Sequence, residues 1–109
     1  MQNLTNRVQL IGNLGKEVDF KVVGEGYNLA RVSLATSDVK KLDNGEIEKT
    51  TQWHNIVGWG KTAEQMNNLF KKGKRVAVQG KLVHRSYDDK EGIKRYVSEI
   101  VVNEFMLLN

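Results

Sequence analysis

The sequence predicts an all-β domain of five short strands closed into a small barrel, with one α-helix between strands 3 and 4. Apolar and polar residues alternate through most of the chain, which is typical of strands that bury one face. A single segment, after the third alternating run, has helical spacing instead. The 109 residues suffice for one hydrophobic core and contain no proline, repeat or low-complexity linker. Residues 1–109 are therefore predicted to form one domain.

The first two strands are predicted from short alternating runs. "RVQLIG" puts Val8 and Leu10 on one face, and "NLARVSLATS" does the same for Ala30, Val32 and Leu34. Between them, the glycines of "GNLGKE" lack phosphate-loop spacing and predict a strand that turns at a barrel corner.

The third strand, "TTQWHNIVGWGK", carries both tryptophans of the chain, Trp53 and Trp59. Their even separation puts both indoles on one face of a strand. A tryptophan in a strand is more often part of a core than of a binding surface. Here, however, polar Asn55 shares the tryptophan face, and the opposite face suits a core because it holds His54, Ile56 and Gly58. The alternation favours a surface platform and leaves a core open.

The helix is predicted over "KTAEQMNNLFKKGK", where apolar residues recur at helical spacing. Thr62 and Gln65 have the spacing of a capping box, which predicts that the helix begins near Thr62. The apolar residues expected to pack on the barrel are Ala63, Met66, Leu69 and Phe70.

The last two strands complete the barrel. In "RVAVQGKLVHRSY", Val76, Val78 and Leu82 share an inward parity that His84 continues, so we expect a hydrogen-bonded histidine near a barrel end. The final strand, "IKRYVSEIVVNEFMLL", has apolar residues on both faces, which is typical of a strand covered on both sides. A partner subunit could supply the second cover.

Two polar loops are predicted, a long one over residues 38–49 and a tight turn over 88–92. Five strands with a helix between the third and fourth is the element order of an OB-fold barrel. A split-sheet α+β domain is the competing architecture.

Composition excludes several classes of site. The chain has no cysteine and two histidines, too few soft ligands for a structural metal site, and no cofactor motif is present. No nucleophile elbow or P-loop occurs, so an enzyme is not expected. No run approaches the roughly 20 apolar residues of a membrane span, and the N-terminus lacks a signal-peptide layout. The net charge of +4 suits an anionic partner such as nucleic acid.

Seven phrases, in order and covering nearly the whole chain, resemble the bacterial single-stranded DNA-binding protein family. They are "NRVQLIGNLGKE", "LATS", "GE" at 45–46, "WHNIVGWGKTAE", "KKGKRVAVQGKL", "DDKEGIKRY" and "EIVVNEFMLL". The resemblance implies an OB-fold that binds and protects single-stranded DNA, whatever its sequence, during replication, recombination and repair. It also implies a homotetramer in the bacterial cytoplasm, associated with the nucleoid, without enzymatic activity.

The resemblance also implies roles for individual residues. Trp53, Trp59 and Tyr87 fall where the family places base-stacking aromatics, and His54 matches a position at the subunit interface. A stacking tryptophan that is common early in the long loop has no counterpart here, and Lys40 or Lys41 could contact a phosphate instead.

Cations on the predicted strands and strand ends are expected to follow the DNA backbone. Any one of them is more simply a solvated surface charge, so the prediction depends on the group. The predicted phosphate contacts are Arg7, Lys21, Arg31, Lys40, Lys61 and Arg85. By parity, Arg31 and Arg85 point out of the barrel.

Two other functions use the same features. A protein-binding OB module would bury the tryptophan face against its partner, and an RNA chaperone would use the same stacking, because nothing in the sequence rejects a 2′-hydroxyl. Family members usually continue into an acidic tip that recruits replication and repair proteins. The chain stops at Asn109, so we expect such recruitment only in a longer form.

Overall fold

The computed structural model describes residues 4–25 and 27–108, so residues 1–3, 26 and 109 of the predicted domain lie outside the described part. The elements follow in the order β1 (Val8–Leu14), β2 (Asp19–Gly24), β3 (Tyr27–Lys41), β4 (Ile47–Trp59), α1 (Gly60–Leu69), β5 (Arg75–Asp88) and β6 (Lys94–Leu107). The predicted order is confirmed, with one short strand more than expected. This extra strand, β2, pairs only with β3 in the described sheet.

Five of the strands form a closed ring. The sheet order is β1-β5-β6-β4-β3-β2, and an additional pairing of β1 with β3 closes it. At the closure, a Cβ on Gly12 would overlap the backbone carbonyl of Ala35. Glycine is required there because the two backbones approach too closely for any side chain.

The core lies inside the ring and beneath α1. The predicted inward residues Ala30, Val32 and Leu34 are all buried, and so is Ile56 on the facing side of β4. The helix covers one end of the barrel with Ala63, Met66 and Phe70, whereas the fourth predicted contact, Leu69, is exposed. Phe70 meets Phe105 of β6 edge to face, with ring centroids 4.8 Å apart.

Three details differ from the sequence predictions. The helix follows β4 directly and begins at Gly60 without a side-chain cap, so Thr62 lies inside it and the capping box does not form. Leu82 and His84 are exposed, because β5 and β6 continue past the barrel as a two-stranded arm. His84 is nevertheless hydrogen-bonded as expected, with Nδ1 2.7 Å from the Ser98 hydroxyl.

The predicted long loop is a second arm. Residues 38–41 and 47–50 remain paired as β3 and β4, in register from Asp38 opposite Thr50 to Lys41 opposite Ile47, and the turn occupies 42–46. The tight turn at 88–92 is confirmed. There the Asp89 carboxylate accepts the backbone N–H groups of Glu91 and Ile93 and an N–H of Arg95.

Candidate nucleic-acid interface

Strand β4 presents its two tryptophans to solvent. Trp53 is 62% exposed and Trp59 is 40% exposed, while Ile56 on the other side of the strand is 0% exposed. Asn55 lies between the indoles and is exposed, and Val57 is buried among its neighbours in the same face. Of the two interpretations of the sequence, the exposures favour the platform.

Each indole has a specific neighbour. Gly15, just after β1, lies against Trp53, since a Cβ there would collide with the six-membered ring of the indole. Trp59 meets the ring of Tyr27 edge to face, with centroids 5.5 Å apart and planes at 88°. Edge-to-face pairs contribute about 0.5–1.5 kcal/mol beyond burial. The backbone of Gly15 therefore positions Trp53, and the ring of Tyr27 positions Trp59.

Tyr87 belongs to the same outer face. β4 pairs with β6 at Asn55 and Glu99, and Glu99 pairs in turn with Val83 of β5. Paired residues share a face and parity is kept along a strand, so Tyr87 faces the same way as Trp53. Tyr87 is 48% exposed, and the guanidinium carbon of Arg85 lies 5.7 Å from its ring centroid. We call this surface, bearing Trp53, Trp59 and Tyr87, the aromatic face.

Four of the six predicted phosphate contacts lie on or beside the aromatic face. Lys21 of β2 pairs with Leu29, which pairs with Trp59, so the lysine lies two strands from that indole. Lys61 is exposed in the first turn of α1, two residues after Trp59. Arg31 and Arg85 reach one carboxylate, that of Glu99, from β3 and β5.

The other two cations lie elsewhere. Arg7 donates a hydrogen bond to the side chain of Gln79 at 2.8 Å, and Gln79 donates one to Glu104. These partners lie on β5 and β6, whereas both tryptophans lie on β4. Lys40 pairs with Glu48 in the β3–β4 arm, and parity puts it on the side opposite Trp53. Lys41 and Lys49 have the parity of Trp53, so the structure favours Lys41 over Lys40 as the cation on this side.

His54, the predicted interface residue, lies on the inward side of β4 near the barrel end. It is half-buried, and its Nε2 is 2.8 Å from the Thr36 hydroxyl.

Two residues of the aromatic face, Tyr27 and Glu99, are not among those predicted from the sequence. Tyr27 starts β3 and has the parity of Leu29 and Arg31, so extending the predicted strand by one residue would have found it. Glu99 is the only acid in the "SEIVV" stretch of β6, and this isolated charge among apolar residues was its signal.

Glu99 is 5% exposed and holds both arginines. Its oxygens accept hydrogen bonds from Arg85 Nε at 2.8 Å, Arg85 Nη2 at 3.2 Å and Arg31 Nη1 at 2.5 Å. The hydrogen bonds from Arg85, and then the charge of Arg31, lower the pKa of Glu99, although burial of the carboxyl opposes the shift. The bond to Glu99 raises the pKa of Arg85. Glu99 is thus ionised at neutral pH, and two cations and one anion leave one net positive charge.

Within residues 4–25 and 27–108, no group of three or more His, Asp or Glu side chains is arranged to hold a metal ion. Over the same ranges, no helix is long and apolar enough to cross a membrane.

Comparison with known proteins decides the family. The sequence model of the single-strand binding protein family matches residues 5–108. The chain belongs to this family. The resemblance stated from the sequence is therefore confirmed.

Relatives within the single-strand binding protein family include single-stranded DNA-binding protein 1 of Xylella fastidiosa (strain 9a5c), 42% identical over 94% of this chain and 76% of that protein. Single-stranded DNA-binding protein 1 of Chlorobaculum tepidum is 39% identical over 94% of this chain and 64% of its own length. Both relatives are longer than this chain.

The fold is shared with a solved family structure. The structure described as the Plasmodium falciparum SSB complex with ssDNA superposes with a TM-score of 0.85 at 30% identity, covering 100% of this chain and 99% of that one. This likeness confirms the predicted OB-fold, and the closed ring of five strands agrees with it.

Proposed function

We propose that the protein binds single-stranded DNA regardless of sequence and protects it during replication, recombination and repair. The exposure of Trp53 and Trp59 on one strand face carries the proposal, because burying such side chains would otherwise stabilise the fold. Flat aromatics stack on any base, at about 1–3 kcal/mol per stack. The relatives named as single-stranded DNA-binding proteins and the neighbour solved with single-stranded DNA support the proposal.

In this proposal, bases stack on Trp53, Trp59 and Tyr87 while exposed lysines beside them contact phosphates. Lys21 and Lys61 are the leading phosphate contacts because both are exposed and close to Trp59 in the sheet or chain. Roles for Arg7 and Lys40 require the strand to continue beyond the aromatic face. The protein acts by binding alone, without a catalytic step or cofactor, at the DNA of a bacterial nucleoid.

We further propose a homotetramer, with a second copy covering an apolar row on another side of the barrel. Ile11 of β1 pairs with Ala77 of β5, which pairs with Met106 of β6, and both Ile11 and Met106 are exposed. This row accounts for the apolar residues on both faces of β6. Light scattering should give four times the chain mass for the wild type, and Met106→Glu should lower the assembly state. A wild-type monomer would refute the tetramer.

The function is tested by titrating oligo-dT into the protein while following tryptophan fluorescence at two salt concentrations. Stacking on Trp53 or Trp59 should quench the emission strongly. Binding should weaken with salt, with log K falling by about 0.7 per phosphate contact against log salt. Tight binding of oligo-U with no preference for oligo-dT would favour the RNA chaperone. Absence of both quenching and binding would favour a protein-binding face.

A further inference from the structure

A groove of about 430 Å³ crosses the outer face between β3, β4, β6 and β5. Its lining includes Lys16, Arg31, Asn55, Arg85, Tyr87 and Glu99. Its volume lies within the range of about 300–1,000 Å³ that is usual for small-ligand sites. Glu99 belongs to this lining, is buried and pairs with both arginines.

The two arginines are poorly arranged to neutralise a phosphate. Their charges are already shared with Glu99, whose carboxylate would repel a phosphate brought to the same guanidinium groups. Arg85 uses two of its in-plane donors on Glu99, and Arg31 uses one. Fewer donors and less net charge remain for an incoming anion than at an exposed lysine such as Lys21.

The same pairing favours a flat ligand. An arginine held through two N–H groups by one carboxylate has its plane fixed, which keeps its flat surface in one orientation for stacking. Arg85 also lies next to the half-exposed ring of Tyr87, which adds a second flat surface. Asn55 at the side of the groove donates to the Ser98 carbonyl through Nδ2, which orients its amide oxygen as an acceptor.

We propose that this groove is a nucleobase site, in which Arg31 and Arg85 contact a base and Glu99 is the positioning residue that holds both guanidinium groups. The proposal rests on the proposed binding of single-stranded DNA and deepens it. It reassigns two of the six cations that the sequence suggested as phosphate contacts.

The test compares two oligonucleotides of equal length, oligo-dT and a fully abasic strand that keeps every phosphate. Affinities for both are measured by fluorescence anisotropy across a salt series. Arg85→Ala should weaken oligo-dT binding about fivefold or more, the lower end for one stacked base, and change abasic binding little. Arg85→Lys keeps the charge but loses the planar fork, so it should resemble Arg85→Ala.

Lys21→Ala is the matched control, because removing a phosphate contact should weaken both strands alike and lower the salt slope by about 0.7. If Arg85→Ala behaves in that way and Arg85→Lys restores wild-type binding, the groove is a phosphate site and the proposal is wrong. If wild-type protein binds neither strand, the proposed function itself fails.

Glu99→Gln tests the positioning role, with thermal unfolding as a check that the variant is folded. It should lower the ratio of oligo-dT to abasic affinity toward that of Arg85→Ala. It should also steepen the salt slope, because the released arginines become free to contact phosphates. A folded Glu99→Gln variant that keeps the wild-type ratio and slope would show that Glu99 does not position the arginines.

Discussion

The two faces of β4 differ sharply in burial. On the inward face, Ile56 is fully buried beside Val32 of β3, and Gly58 lies under Met66 of the helix. On the outward face, Trp53 lies three residues before Ile56 and is mostly exposed. Within β4, the two largest side chains thus face solvent, while Ile56 and Gly58 face the core.

This difference separates stability from function along one strand. A buried isoleucine contributes to folding through the apolar area removed from water, whereas a mostly exposed tryptophan contributes little of its area. Exposed aromatics on a strand that already has a good core face are best explained by a ligand that covers them. Substitutions on the two faces should therefore have opposite consequences.

The largest effect is expected for Ile56→Ala on the inward face. Removing a fully buried isoleucine should lower the free energy of unfolding by about 2–5 kcal/mol, because transfer and cavity costs add. Urea denaturation followed by circular dichroism measures the loss. Any folded fraction should still quench with oligo-dT. A loss below 1 kcal/mol would mean that the two faces differ less than their burial indicates.

Trp53→Ala on the outward face should weaken DNA binding and leave the stability of the fold nearly unchanged. We expect oligo-dT affinity to fall by about 1–3 kcal/mol, the value of one base stack, with the free energy of unfolding changed by less than about 1 kcal/mol. Trp53→Phe is the matched control and should retain most of the affinity. Equal affinity of the alanine variant and wild type would show that no base stacks on Trp53.

Acid should weaken the fold through the one buried charge of the aromatic face. The pKa of Glu99 is lowered in the folded protein, so its contribution is complete above the ordinary glutamate pKa of about 4.3. That contribution is lost as pH falls from about 4.3 through the lowered pKa. Hydrogen bonds from the Ile93 backbone and Arg95 also lower the pKa of Asp89, which acts in the same direction.

Thermal unfolding between pH 7 and pH 3 separates these two carboxylates. Glu99→Gln should flatten the acid limb of the stability curve, and Asp89→Asn should flatten it independently. If the Glu99→Gln curve runs parallel to that of wild type, the ion pairs with Arg31 and Arg85 contribute nothing to the pH dependence.

Tyr27→Ala should have a smaller effect, through its edge contact with Trp59. Loss of this contact frees the indole and should cost about 0.5–1.5 kcal/mol in oligo-dT affinity or in stability. Tyr27→Phe keeps the ring and should match wild type. A double-mutant cycle with Trp59→Ala tests the coupling, and additive losses would show that the two rings act separately.

The smallest effect is expected at Gly15, which contacts no ligand in the proposal. A methyl group there would push the exposed ring of Trp53 aside, so Gly15→Ala should shift tryptophan emission and weaken oligo-dT binding about two- to threefold. Gly24→Ala is the matched control, since its Cβ would have nothing within 4 Å. Identical emission spectra for both variants would contradict the contact.

Much of this fold could be predicted because alternation is a local property. The inward parity of Val32, Leu34 and Ile56 follows from residue spacing alone, and so does the outward parity of Trp53 and Trp59. The arm over residues 38–50 could not be predicted, because its paired strands are exposed on both sides and have no inward apolar pattern. β2 was missed since five of its six residues are exposed, which leaves no buried face to detect.

In the candidate site, too, some residues could be proposed from the sequence and some contacts could not. The three aromatics could be proposed residue by residue, because the family resemblance names each position and the two tryptophans share one strand parity. That Arg31, Arg85 and Glu99 meet could not be predicted, since they come from β3, β5 and β6 and are up to 68 positions apart. An arginine meant for a phosphate and one bound to a buried carboxylate have the same local pattern.

The sequence by itself determined the alternation, the single helix, the aromatic residues and the excess of positive charge, because each depends on neighbours within a few positions. Only the tertiary structure decided which cations remain free and which are held. It also decided that Gly15 supports Trp53 and that Tyr27 meets Trp59. These contacts join distant parts of the chain, and their partners are chosen by strand order and barrel closure, which no short stretch of sequence encodes.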